Sequence, residues 1–508
     1  MVPDQATPMA LNGAGNNANI VAEIVMSFVS AMNRASPFSL PSTAQKIILA
    51  LERGLYAVRR YRHISNPGDS CPQAAFPTLD GLDLSPNFQL EEEGRWRWAP
   101  SWSLVFVRLL SLRLPSAGMP YPVLYENGSR TIVLLDIPSS IEHGQSTSHY
   151  LKSCPALKSS YPSTEPKGIK RDAAIDKIPI SERRYHASLQ HQISSALTEI
   201  NEHLSGRGGL WCRKRGALLP QQDGHNGVLS DHNAPRHTAP TYPTVCTDHL
   251  STASIVPLIL STTEPRNNLP SQNNIHAIVV HNPRLHRAII DTIDRGAFYV
   301  PPRATFIRSS LKLGQQAFLA CQKHKLLDTR FDLILMDPPW SNRSVRHSGA
   351  YQTSEDQIVD PFQQAVDIVR TSLAPNGLVA VWVTNKASIQ STVHGTFHFL
   401  EYHLFEEWIW IKTTVHGVPV SPLDGIWRRP YEVLLLFREG PTSQPPRRRV
   451  IAAVPDLHSR KPCLKLLLED LLPSNYNGLE LFARNLTSGW WSWGDEVLKF
   501  QHESQWTA

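Results

Sequence analysis

The stretch Phe331-Asp332-Leu333-Ile334-Leu335-Met336-Asp337-Pro338-Pro339-Trp340 decides the fold. Its first part is almost unbrokenly apolar and short, the pattern of a β-strand buried on both faces, read here as Asp332 to Met336. The run then breaks at an acid followed by two prolines. Pro338 and Pro339 hold φ near −65° and cannot donate to a sheet ladder, so the strand ends there. Asp337 is thereby placed at the carboxyl end of a buried strand, where open α/β sheets gather their ligands.

Working outward, the sequence from about residue 276 onward alternates short β-rich runs with helical patterns, as in a parallel sheet flanked by helices. Strands are expected at Gly377 to Val383, Trp408 to Ile411, Glu432 to Phe437, Val450 to Val454 and Gly478 to Phe482. Ser354 with Gln357 has the form of a capping box, opening a helix to about Leu373 that Pro375-Asn376-Gly377 stops. Cys463 to Leu472 reads as a Leu-rich helix. Residues 276–508 are therefore the expected catalytic domain. Residues 1–140 read as a smaller N-terminal α+β accessory domain, with helical patterning at Ala44 to Tyr61 and apolar runs at Leu104 to Leu110 and Thr131 to Leu135. Residues 141–275, rich in Ser, Pro, Asn and His, read as a disordered linker with one helix near 180–204.

The 508 residues are 41% hydrophobic, enough for globular cores, and 40 are proline, which favours loops. A formal charge of +6 is mildly attractive to polyanions and by itself decides nothing. The six cysteines are scattered with no C-x-x-C pair, so a reduced, metal-free protein is expected. No apolar run reaches the roughly 18 residues a membrane span needs, and no secretion signal is read at the N-terminus.

The tetrapeptide Asp337-Pro338-Pro339-Trp340 carries chemistry of its own. The prolines remove two N–H donors and leave their carbonyls free, so backbone and carboxylate form a rigid acceptor surface suited to an amine. An aromatic amine is a poor nucleophile until its nitrogen pyramidalises, and acceptors on its N–H bonds favour that change in the transition state. Trp340 offers a face for a base to stack on.

These residues continue as Ser341-Asn342-Arg343-Ser344-Val345-Arg346 and are followed by Trp382-Val383-Thr384-Asn385-Lys386, Trp408-Ile409-Trp410-Ile411-Lys412 and Arg429-Pro430-Tyr431-Glu432-Val433-Leu434. Then come Leu457-His458-Ser459-Arg460-Lys461-Pro462 and Leu479-Glu480-Leu481-Phe482-Ala483-Arg484-Asn485. In this order they resemble the eukaryotic N6-adenine methyltransferase family that includes the messenger-RNA adenosine methyltransferase, in its methyltransferase-like protein 4 branch, over roughly residues 276–508.

The resemblance implies an α/β, Rossmann-like, S-adenosylmethionine-dependent methyltransferase sheet in which the catalytic motif precedes the cofactor motif. It implies catalytic roles for Asp337, Pro338, Pro339 and Trp340, and cofactor contacts from Asp337, Lys461, Glu480, Arg484, Asn485, Asp495 and Glu496. Substrate contacts are expected from Trp340, Asn342, Ser344 and Arg346. The implied substrate is adenine in RNA, of small nuclear RNA type in preference to DNA, with a silent binding subunit as the alternative. A nuclear location, no membrane, and either a monomer or a partnered subunit are expected. Two departures from the family pattern stand out: Asp495 follows Gly494 where relatives read Asn, and Phe306-Ile307-Arg308-Ser309-Ser310 lacks the acid that relatives carry before the catalytic strand. The segment Ser341 to Tyr351 reads as a loop that either contacts phosphate or is simply exposed. Arg447-Arg448-Arg449 and Arg213-Lys214-Arg215 read either as phosphate or targeting patches or as solvated loops, the loop being the preferred reading.

Overall fold

The computed structural model describes residues 88–90, 96–98, 121–206, 208–216, 256–325, 327–340, 360–440, 444–457 and 459–507. Two compact units divide the chain at Ala117/Gly118. In the first, Phe88–Leu90 and Trp96–Trp98 form an antiparallel pair; the expected helix at Ala44 to Tyr61 and the run at Leu104 to Leu110 lie outside the described residues.

The second unit is built on a twelve-stranded mixed sheet. Its strands in chain order are β1 (Val123–Glu126), β2 (Ile132–Leu135), β3 (Leu258–Ile259), β4 (Val279–His281), β5 (Thr305–Ile307), β6 (Phe331–Met336), β7 (Leu373–Val383), β8 (Tyr402–Lys412), β9 (Tyr431–Glu439), β10 (Arg447–Ala453), β11 (Gly478–Leu481) and β12 (Trp490–Trp493). Across the sheet they stand in the order β1-β2-β10-β8-β9-β7-β6-β11-β12-β5-β4-β3. From β7 through β6, β11 and β12 to β5 every pairing is parallel, while β9 lies antiparallel between β7 and β8. A separate three-stranded sheet comprises Arg266–Leu269, Ala288–Thr292 and Gly296–Val300.

The helices are α1 (Ile137–Gly144), α2 (Ile169–Asp176), α3 (Ile180–Ser205), α4 (Leu311–His324), α5 (Pro361–Ser372), α6 (Ala387–Phe399) and the single turn α7 (Lys465–Leu468). Alternate residues of the central strands serve opposite cores, which is why those strands read as continuous apolar runs. On β7, Val379, Val381 and Val383 join a cluster with residues of α3, α4, α5 and α6. Leu378, Ala380 and Trp382 face the other way, into a cluster with Ile137 and Ile141 of α1 and Leu467 of α7.

Several sequence expectations need correction. The boundary lies at Ala117 rather than 140, because β1 and β2 extend the sheet beside β10. The helix read near 180–204 is α3, which buries Leu189, Ile193, Ala196 and Ile200, but the rest of the stretch after 140 is not linker throughout: α1 runs into it and α2 lies in it. α5 is capped by Asp360, whose carboxylate accepts from Phe362 N–H at 3.0 Å; Ser354 and Gln357 lie outside the described residues. The helix expected from Cys463 to Leu472 is only the turn α7 followed by a 3-10 turn.

The first basic run is not a solvated loop, and the second is one only in part, with Arg213 and Lys214 exposed. Arg447 to Arg449 open β10, where Arg448 pairs with Glu407 at 2.6 Å and Arg449 is buried with its guanidinium 4.6 Å from the Trp408 ring centre. Arg215 pairs with the buried Asp456 at 3.3 Å, and Arg213 N–H donates to Asp136.

Candidate active site

The carboxyl ends of four parallel strands fall in one line. Met336 of β6 is in register with Leu481 of β11, Leu481 with Trp493 of β12, and Trp493 with Ile307 of β5. The next residues of each strand, Asp337, Phe482, Gly494 and Arg308, therefore border a common sheet edge. From β6 the chain turns through α5 to β7 on one side, and much later β11 is laid on the other. The gap between β6 and β11 is thus a point where the winding reverses, the usual ligand position in such sheets.

A crevice opens there, lined among others by Asp337, Trp382, Lys461, Glu480, Arg484 and Asn485. Asp337 is half-buried and held by two cations. Lys461 Nζ lies 3.0 Å from its Oδ1 and Arg484 Nη1 3.5 Å from its Oδ2. Lys461 also sits 3.0 Å from Glu432 Oε2, and Lys412 lies 2.6 Å from the other oxygen of Glu432. Burial opposes the Glu432 charge, but Lys461 and Lys412 outweigh it and hold the carboxyl down at about 2. Burial likewise opposes the Lys461 charge, and Glu432 and Asp337 keep its ammonium protonated. The Lys461 ammonium lies 4.1 Å from the Trp382 ring centre, a cation–π contact that fixes it further.

Glu480 follows the opposite course. It stands in register with Leu335 on β11, two positions short of Asp337 on the neighbouring strand. Burial first, and then the Asp337 charge, push it up to about 7, against Lys461 and Arg484. The crevice therefore pairs an anchored Asp337 with a carboxyl poised near neutrality.

Beyond Glu480 the backbone takes a tight course: Phe482 adopts φ +60, a left-handed conformation costly for a bulky residue. This turns Ala483 to Asn485 back over the crevice. Asn485 Oδ1 is buried with no hydrogen-bond partner among the described residues, an acceptor left for a ligand donor. Arg484 bridges Asp337 to Glu496, whose Oε2 lies 3.1 Å from its Nε, and Lys499 holds the other oxygen of Glu496 at 2.8 Å. Burial and Glu496 raise the Asp495 carboxyl while the Arg308 guanidinium lowers it. The two departures from the family pattern thus act on each other as opposite charges.

The sequence reading brought Asp337, Lys461, Glu480, Arg484 and Asn485 to this one crevice. Trp340 and Pro338 stand somewhat differently from expectation. Trp340 Nε1–H donates to the Trp382 carbonyl at 2.9 Å, and its ring lies 5.2 Å from that of Phe362. Pro338 O accepts the Trp340 amide at 2.8 Å, which closes the turn and leaves the carbonyl one lone pair. Pro338 is buried and Pro339 exposed. Asn342, Ser344 and Arg346 lie outside the described residues. Trp382, Lys412 and Glu432 were quoted only as parts of family motifs; their signal was an ionisable or amphipathic residue at the end of an otherwise apolar strand.

Among the described residues no group of His, Cys, Asp and Glu is arranged to hold a metal. Cys154, Cys212, Cys321 and Cys463 are unbridged, and no helix among the described residues is long and apolar enough to cross a membrane.

Residues 331–496 match the model of the MT-A70 family. The chain is 45% identical over 183 residues to N6-methyladenosine RNA methyltransferase MTA1 of Cryphonectria parasitica, covering 35% of this chain and 54% of that one. To the protein of the same name from Pyricularia oryzae it is 29% identical over 422 residues, 76% of this chain and 97% of the relative. To the human N(6)-adenine-specific methyltransferase METTL4 it is 34% identical over 260 residues, 48% and 52% respectively. The chain spans about half the length of the first and third relatives and nearly all of the second.

Proposed function

Since residues 331–496 are an MT-A70 domain, we propose that this chain transfers a methyl group from S-adenosylmethionine to the N6 amine of adenine in nucleic acid. RNA, of small nuclear type, is the preferred substrate over DNA, and the nucleus the compartment. The observation that carries the proposal is Asp337, set by two prolines at the end of β6 and clamped by Lys461 and Arg484. The names of the two fungal relatives support RNA.

The residues present fit the cofactor. Asn485 Oδ1 offers an unsatisfied acceptor, Lys461 keeps a third N–H beyond its two ion pairs, and Glu480, Asp495 and Glu496 supply carboxyl groups along the same edge. S-adenosylmethionine supplies an electrophilic methyl on a sulfonium, whose electron pair returns to sulfur as the N–C bond forms.

The protein's own part is to prepare the amine. Asp337 Oδ1 and Oδ2 each retain lone pairs beside their cation, and one accepts an N6 hydrogen, with the remaining Pro338 lone pair available to the other. Because Lys461 and Arg484 fix the carboxylate before substrate arrives, little reorganisation is needed as the nitrogen develops positive charge. The amine proton in excess leaves to solvent along the same carboxylate. Trp340, tied to Trp382 and Phe362, holds the turn that carries Asp337 in place.

Transfer of labelled methyl to matched single-stranded RNA and DNA oligonucleotides tests this. Asp337→Asn is expected to lower turnover by about 100- to 1000-fold while the fold is kept, as for loss of one preorganised transition-state contact. Binding of S-adenosylmethionine without transfer to either oligonucleotide would point to a silent binding subunit. Transfer to DNA alone would overturn the RNA preference.

A further inference from the structure

The sheet edge that carries Asp337 continues past β7. Strand β9 is antiparallel to β7 and to β8, so the end of β8 at Lys412 and the start of β9 at Tyr431 lie at that same edge. The loop joining them holds Trp427, which is 64% exposed. An exposed indole is ordinary on a slack loop, but this loop is fastened at many points.

The carboxylate of Glu165 accepts from three consecutive backbone N–H groups, those of Ile426 at 2.7 Å, Trp427 at 3.1 Å and Arg428 at 3.0 Å. Arg171 pairs with Asp424 at 2.7 Å, and Tyr161 N–H donates to Val420 O at 2.9 Å. Arg429 anchors the end of the loop, with Nη1 2.5 Å from His186 Nε2 on α3 and 3.4 Å from the Asn385 carbonyl. Asn385 Nδ2 in turn donates to Tyr431 O at 2.6 Å. The loop is therefore tied to the residues just after β7, whose Trp382 carries both Trp340 and Lys461. Next to Asn385 stands the exposed Lys386, and next to Trp427 the exposed Arg428.

An exposed aromatic side chain on a fastened loop, with Arg428 beside it in the chain and Lys386 on the segment the loop is tied to, has the composition of a single-strand platform on the edge that bears the reactive carboxylate. Bases stack on such faces irrespective of sequence, while cations follow the phosphates. We propose that Trp427 stacks a nucleotide flanking the target adenine, with Arg428 and Lys386 facing the backbone of that strand, so that the β8–β9 loop is the strand-positioning surface of the enzyme. This rests on the nucleic-acid reading above and adds to it where the strand runs.

The test uses the full chain, a fluorescently labelled single-stranded oligonucleotide followed by anisotropy, and calorimetry with S-adenosylmethionine. Trp427→Ala is expected to weaken strand binding by about 5- to 100-fold, the range for loss of one base–aromatic stack, with cofactor affinity unchanged and most strand affinity restored in Trp427→Phe. Lys386→Ala is expected to lower the salt dependence of strand binding by about one phosphate contact. Unchanged strand affinity in Trp427→Ala, with the cofactor still bound, overturns the proposal. So does loss of self-association in its place, which would make the indole a contact between copies. If strand binding depends on Trp427 but no methyl is transferred, the platform stands and the N6 reading fails. If methyl is transferred with an unchanged KM in Trp427→Ala, the reading stands and the platform falls.

Discussion

Glu480 and Asp337 lie on neighbouring strands and take opposite parts. Asp337 has its charge compensated by Lys461 and Arg484, whereas burial and the Asp337 charge raise Glu480 from 4.5 to about 7. The folded-state value is above the unfolded one, so between about pH 4.5 and 7 the folded chain holds a proton that the unfolded chain releases. Stability from this group therefore falls as pH rises through that window, and the full penalty is present above about 7. Thermal melts should show Glu480→Gln gaining on the parent chain from pH 5 to pH 8. A cationic sulfonium favours the ionised form, so S-adenosylmethionine should bind the parent more tightly as pH passes 7 and Glu480→Gln with a flatter profile. A constant gap between the two melting curves would show that Glu480 is ionised throughout. At this scale the crevice was legible where residues carry motif chemistry, as with Asp337, Lys461, Glu480, Arg484 and Asn485. The Lys412–Glu432–Lys461 chain was not, because it joins strands whose adjacency is set by the sheet order and not by sequence distance.

Strands were the most legible elements, since two-sided burial writes itself as unbroken apolar runs: β6, β9 and β11 lie where the pattern places them, and β7 ends where it was read but begins four residues earlier, at Leu373, ahead of Pro375-Asn376-Gly377. Strand β8 runs longer than read because Tyr402 to Glu407 mixes polar with apolar residues, and the buried Glu406 and Glu407 are compensated by partners such as Trp408, Arg447 and Arg448. The C-terminal helix failed for a related reason: Leu464, Leu467 and Leu468 are apolar because they cover the sheet, and Cys463 to Leu472 needs only one turn to do so. Strand β12 was missed altogether, as Trp490-Trp491-Ser492-Trp493 has few residues to show a period. Its end is nevertheless critical. A Cβ on Gly494 would lie 2.6 Å from the Ala483 carbonyl oxygen and 2.8 Å from the Ala483 nitrogen, and backbone cannot swing aside as a side chain does. Gly494→Ala should therefore push β12 away from the Phe482–Asn485 turn, costing about 1–3 kcal/mol as overpacking does. Calorimetry should find S-adenosylmethionine binding weakened by more than the stability loss alone explains. Unchanged affinity in the folded variant would detach this turn from the cofactor site.

For the molecule as a whole, the boundary was the hardest feature to read. Low apolar density between residues 141 and 275 suggested a linker holding one helix near 180–204, yet composition did not show that this helix packs on the sheet. Within it α3 presents a polar face to solvent and a stripe of Leu189, Ile193, Leu197, Ile200 and Leu204 to the sheet. Farther upstream, β2 pairs in parallel with β10 and covers its edge. The two boundaries make opposite predictions for shortened chains. A chain of residues 118–508 keeps every strand of the large sheet and should melt cooperatively within a few degrees of the full chain while binding S-adenosylmethionine. A chain of residues 276–508 loses α3, β1, β2 and β3, exposes the apolar partners of that stripe and uncovers the β10 edge. At about 1.5–3 kcal/mol for each large apolar side chain removed from its site, five such losses reach or exceed the roughly 5–15 kcal/mol that holds a domain together. It should be unfolded or aggregated, by circular dichroism and by gel filtration, with the newly exposed strand edge as the route to association. Cooperative melting of residues 276–508 at the same temperature as residues 118–508 would mean that α3 and the β1–β2 hairpin only decorate the sheet. The catalytic unit would then be the shorter one that motif order alone suggests.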